Sequence, residues 1–207
     1  MTANIAQPTS RSVPGHGVRK GVLDLAALGD ALTSVSEAER VRMTRLWTKG
    51  DMVRIWEATQ GREVTADAFV PPGVRVGAEI IHEGKNSLPV FNHFQKRFTT
   101  ADGKPGTVYG YNHSWHNFAS TGPGYFVGHH DASVQAFGLD YYQVPPGGAR
   151  LPPHWPRVRA NEIGLQRFIF AKMIDYMRQV CDGVTIGRAW RHGKVTDNYF
   201  VLVRTGI

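Results

Sequence analysis

The chain has 207 residues, Lys+Arg 24 against Asp+Glu 17, a formal net charge of +7 and a hydrophobic share of 42%. That length suits one domain with a core that needs no staples, and the single cysteine, Cys181, excludes an intramolecular disulfide scaffold and a cysteine-based zinc finger. No apolar run reaches the roughly 20 residues of a membrane span and no charged start leads into an apolar signal core, so the expectation is a cytoplasmic protein with no membrane partner.

Residues 1–20 are rich in Thr, Ser, Gly and Pro and poor in apolar side chains. They read as an irregular arm with too little apolar surface to offset its ordering entropy. Residues 22–32 then read as a short helix. Ser36, with Glu39 three residues on, has the pattern of a capping box and opens a second helix through Val41, Met43, Leu46 and Trp47. Lys49-Gly50-Asp51 reads as a stop and restart, with Asp51 as the next N-cap and Gly61 as the end.

The character changes at Val70-Pro71-Pro72-Gly73. Strand-like runs follow at 74–82, 88–99, 107–118, 125–130 and 134–144, separated by turn residues such as Glu83-Gly84-Lys85-Asn86. Their close spacing implies an antiparallel meander, because parallel pairs need long crossovers. Residues 145–156, with five prolines, read as a polyproline-like surface strap. Asn161 is placed as the cap of a long helix over 162–182. The apolar stripe there is Leu165, Ile169, Met173, Met177 and Val180. Two strands, 184–190 and 199–204, close the chain. The order indicates an α+β fold: N-terminal helices, then a curved antiparallel β-meander wrapping one long helix, closed by a C-terminal hairpin. Residues 21–207 form a single domain.

The runs 88–99 and 107–118 read as a hairpin. A turn centred on Gly103-Lys104 makes opposite residue numbers sum to about 207. One face is then aromatic and fit for a core. The other carries His93, Gln95 and Arg97 opposite Ser114 and Asn112, with His116 beyond; a slip of one residue would mix the two faces. Histidine, amide and hydroxyl groups build directional networks, unlike the Lys, Glu and Thr of solvated sheet faces. They are read as a pocket floor: His93 and His116 for proton transfer, Gln95, Arg97, Asn112 and Ser114 for binding, with Arg97 as a fork for an acidic group. Arg188 is a second anion-binding candidate if the turn near His192-Gly193 is long; a two-residue turn would set it opposite Asp197. No metal site is expected, because His113, His116, His129, His130 and Asp131 align no third ligand on strands. Cys181 reads as a buried thiol, and no cofactor motif occurs.

The positive charge concentrates in the arm and in residues 145–207, which hold ten bases and four acids. The leading expectation is a small-molecule-binding protein taking an anionic or aromatic ligand. In its catalytic form it is a cofactor-independent lyase, isomerase or hydrolase using His acid/base chemistry with Arg anchoring. The alternatives are a non-catalytic carrier, a nucleic-acid-binding protein using the basic last third, and an interaction protein whose N-terminal arm makes a homo-oligomer.

Overall fold

A computed structural model of the chain describes residues 18–19, 22–89, 92–113 and 122–206. The first described elements are a two-stranded ribbon, β1 (Val18–Arg19) with β2 (Val22–Leu23), and helices α1 (Leu25–Thr33), α2 (Glu37–Arg45) and α3 (Lys49–Ala58). The helices start where short polar side chains satisfy free backbone N–H groups. Asp24 accepts from Ala27 N, and Ser36 accepts from Glu39 N. In α3 the cap is Thr48 rather than Asp51. Asp51 sits three residues in and closes a reciprocal capping box with Thr48.

Eight strands follow: β3 (Ile80–Asn86), β4 (His93–Thr100), β5 (Val108–His113), β6 (Tyr125–Asp131), β7 (Ala136–Asp140), β8 (Met173–Cys181), β9 (Val184–Arg191) and β10 (Lys194–Thr205). All neighbours run antiparallel, and β10 pairs with both β9 and β3, so the sheet closes into a barrel. Closure leaves the eight-stranded sheet without an edge strand.

The expected long helix over 162–182 is absent. Residues 164–168 form a 3-10 turn, and Met173–Cys181 is strand β8. The physical reason is double burial. Met173, Asp175 and Met177 face the barrel interior, while Ile174, Tyr176 and Val180 face outward under the helices. A strand buried on both faces reads as a continuous apolar run rather than an alternation. The helices therefore cover the barrel from outside. Leu28, Leu32, Trp47, Met52 and Ile55 pack on Val180, Val184, Ile186, Val201 and Val203.

The Glu83–Asn86 segment, expected as a turn, is strand. Gly84 serves close packing: a Cβ there would lie 2.7 Å from two ring atoms of Phe94, its cross-strand partner. The same device recurs with Gly110 under Phe126 and Gly187 under Phe200, each glycine directly opposite the ring that covers it. Three aromatic rings thus lie flat across inward-facing glycines. One end of the barrel is plugged by Phe69, stacked on Phe98 and Phe137 at 5.0 and 5.1 Å. His82 Nε2 bonds Phe69 O at 3.0 Å. Among the described residues, the opposite end opens into a cavity.

Candidate functional site

The observed register of β4 and β5 differs from the expected one by a single residue. Gln95 faces His113, Lys96 faces Asn112 and Arg97 faces Tyr111, because the turn spans Ala101–Thr107. A shift of one swaps side-chain faces. Phe94, Lys96 and Phe98 therefore share the interior face with Gly110 and Asn112. His93, Gln95 and Arg97 share the exterior face with Tyr109, Tyr111 and His113.

The expected polar floor is consequently divided. His93 is exposed and lines no part of the interior cavity. Arg97 is tied to Glu79 at 3.2 Å and to Gln95 at 3.0 Å, and Gln95 donates to Glu83. Glu79 also accepts from Trp155 Nε1 at 2.5 Å and bonds His154 at 3.2 Å. This cluster fastens the proline strap over the outside of the barrel, where Trp155 is buried against Tyr111 and Tyr125. His116 and Ser114 lie outside the described residues.

Arg188 also faces outward. The turn at His192-Gly193 is tight, but an irregularity between Val195 and Tyr199 sets Tyr199, not Asp197, opposite Arg188. Its guanidinium lies over the Tyr199 ring at 4.8 Å and donates to Thr196 O at 2.9 Å, while Asp197 pairs with Lys49. Of the proposed residues that are described, only Asn112 reaches the interior.

There it meets three groups the sequence reading missed. Lys96, from β4, donates to Asn112 Oδ1 at 2.8 Å, to the Tyr141 hydroxyl, and to Asp175 Oδ2 at 3.1 Å. Its three N–H donors are all used. Tyr141 donates in turn to Asp175 at 3.3 Å and accepts from Asn112 Nδ2 at 2.8 Å. Asn112 also donates to Gly124 O. Lys96 and Asp175 are 2% and 3% exposed, so this ion pair is held out of bulk water.

Four rings surround the ammonium. The Phe94, Phe126, Tyr141 and Phe200 centroids lie 5.6, 5.2, 5.1 and 5.1 Å from Nζ, all within the range of a cation–π contact. Three of these are the rings that lie across glycines, so the backbone pattern builds the cage. Burial pulls the Lys96 pKa below the ordinary lysine value, and Asp175 opposes that shift by charge and hydrogen bond. Burial, with the Asp175 charge behind it, pushes Tyr141 well above the ordinary phenol value. Tyr141 is therefore a neutral donor at physiological pH.

The network forms the floor of a cavity of about 530 Å³ at the open end. Phe94, Phe170, Met173 and Phe200 contribute apolar wall, and Ala189 and Arg191 complete one side. Phe170 stacks on Tyr141 with rings 5.7 Å apart and 8° from parallel. The volume falls within the range of small-ligand sites, about 300–1,000 Å³.

A signal for the missed residues does exist. Phe94-Gln95-Lys96-Arg97-Phe98 alternates, so Lys96 stands between two phenylalanines on an apolar face. Met173-Ile174-Asp175-Tyr176-Met177 has the same form with the opposite charge. A lone charge centred on an apolar strand face must be paired, and the two complement each other.

Comparison with protein-family models, with curated proteins and with solved structures finds no match for this chain.

Proposed function

We propose that this chain binds a small, mainly apolar or aromatic monoanion in the open half of its barrel. The observation that carries this reading is the buried Lys96–Asp175–Tyr141–Asn112 network at the floor of an otherwise aromatic cavity. Concave apolar walls with a few convergent polar groups are the usual make-up of a small-molecule site. Among the described residues, the charged ones lining it are Lys96, Asp175 and Arg191. Two cations against one carboxylate leave a single positive charge for a ligand to neutralise. The apolar body would lie on Phe94, Phe170 and Phe200. A head oxygen would take a hydrogen bond from Lys96 or Asn112 in exchange for one inside the network.

A second reading, a cofactor-independent lyase or isomerase, draws support from the same groups. The acid/base role moves from histidine to Lys96, whose ammonium donates to both Asp175 and Tyr141. Lys96 and Tyr141 would polarise a ligand carbonyl, and Asp175 would take the proton from the adjacent carbon. The nucleic-acid alternative loses support because several last-third arginines are occupied within the fold. Arg178 stacks on Trp56 at 3.9 Å, Arg188 donates to Thr196 O, and Arg204 pairs with Asp182.

Calorimetric titration with benzoate, phenylpropanoate and octanoate, beside their neutral amides, tests the binding reading. At least one carboxylate should bind about tenfold tighter than its amide, a difference of about 1.4 kcal/mol. Ala189→Phe, which fills the cavity from one wall, should abolish that binding. Failure of all three acids to bind, or equal binding by Ala189→Phe, overturns the proposal. Proton exchange at the α-carbon of a bound acid in D2O separates the enzyme from the carrier.

A further inference from the structure

The segment that borders the cavity mouth is inverted in polarity. Asn161 and Gln166 are buried, whereas Ile163, Leu165 and Phe168 are 62%, 58% and 60% exposed. The burial is held by specific bonds. Asn161 Nδ2 donates to Tyr125 O and Tyr141 O at 2.7 and 2.8 Å, and Gln166 Nε2 donates to Ala160 O at 2.5 Å. Arg191 fixes the far end of the 3-10 turn through Phe168 O. The apolar side chains are therefore turned outward by a built framework.

They have company around the same opening. Ile169 and Leu88 are also exposed, and Leu88, Phe168 and Ile169 all line the cavity. Half of the ten exposed large apolar side chains among the described residues thus lie on the cavity lining or on the segment that borders it. An apolar patch of this kind marks a contact surface. Among the described residues its charge leans positive: Arg167, Lys172, Arg191 and Lys194 lie along its segments, against Glu162 and Asp197, the latter paired with Lys49.

We infer that the mouth of the barrel docks on an anionic phospholipid bilayer, with the collar inserted at the headgroup boundary and the cations on the lipid phosphates. This inference rests on the ligand-binding reading above, since it gives an apolar ligand a direct path between lipid and cavity. Apolar side chains interleaved with Lys and Arg are the composition that holds a protein at a charged interface without a span. The expectation of no membrane partner drew on the absence of a span, and no described helix is long and apolar enough to cross a bilayer. Surface docking needs none.

The test is co-sedimentation of the full chain with vesicles of phosphatidylcholine alone and with one quarter phosphatidylglycerol, over a salt series. The expected result is binding to the anionic vesicles only, weakening with salt, and at least about tenfold weaker for Ile163→Ser with Leu165→Ser. That pair lines no part of the cavity, so its carboxylate binding should match wild type; retained carboxylate binding with no vesicle binding overturns this inference while sparing the first. Vesicle binding unchanged in the Ile163→Ser, Leu165→Ser variant also overturns it. So does a concentration-dependent dimer, dissolved by the same pair, in the absence of vesicle binding, which would make the collar a contact between copies of this chain.

Discussion

Removing one member of the Lys96–Asp175 pair should be far more damaging than removing both. The two side chains are 3% and 4% exposed and 3.1 Å apart. Lys96→Met leaves the Asp175 carboxylate in the barrel with Tyr141 as its remaining described hydrogen-bond donor. Stranding a buried charge in this way costs about 3–5 kcal/mol. For a domain of this size each kcal/mol lowers Tm by about 2–4 °C, so the loss is roughly 6–20 °C. Asp175→Leu should cost less, because the four-ring cage still faces the ammonium and Lys96 can lose its proton. The double variant, Lys96→Met with Asp175→Leu, strands no charge. It leaves the Tyr141 hydroxyl and Asn112 amide to re-pair, at about 1–3 kcal/mol for a group left unsatisfied. Urea unfolding of the four proteins closes a double-mutant cycle. The expected coupling is at least about 2 kcal/mol, with the double variant more stable than Lys96→Met. Additivity within about 0.5 kcal/mol would refute the buried pair, since independent sites add to that precision.

His82 gives a pH dependence of defined sign. Burial drives its pKa from 6.5 to about 3. Between those values the unfolded chain binds a proton that the folded chain refuses, so stability is full above pH 6.5 and falls as pH drops toward 3. The loss approaches about 4–5 kcal/mol at 1.36 kcal/mol per pH unit. His82→Gln keeps an N–H for Phe69 O and removes the titration. Its urea midpoint should converge on wild type as pH falls, and parallel profiles would show that His82 is not the source. At Gly187 an added Cβ would lie 2.2 Å from Phe200 Cζ. Gly187→Ala should lift that ring and cost about 1–3 kcal/mol in urea unfolding. Gly147→Ala, which meets nothing within 4 Å, should stay within about 0.5 kcal/mol; equal midpoints for the two would show that the ring does not need the glycine.

The three helices and most strands were legible because their signals are local. Caps, glycine stops and alternation do not depend on what packs above them. The antiparallel order was legible for the same reason, since short turns allow nothing else. Closure was not, because it depends on β10 reaching β3 across more than a hundred residues. The 162–182 segment was misread because a strand covered by helices on one side and barrel contents on the other loses its period of two. In the site, Asn112 was found for a reason that did not hold. It was grouped with His93 and Arg97 by a register one residue off, and one residue is the whole difference between inside and outside. Lys96 was hidden by its neighbours: beside Arg97 it reads as a solvated basic pair, and only the flanking phenylalanines mark it as buried.

Whether the barrel holds its ligand against Lys96 can be read directly from lysine labelled with 13C at Cε. The Lys96 resonance is identified by its absence in Lys96→Met, and four rings within 6 Å should set it apart from the exposed lysines. During titration with phenylpropanoate that resonance should move and saturate, while those of Lys49 and Lys104 stay in place. Saturable binding with Lys96 unmoved would put the ligand elsewhere on the molecule and contradict the assignment of the cavity.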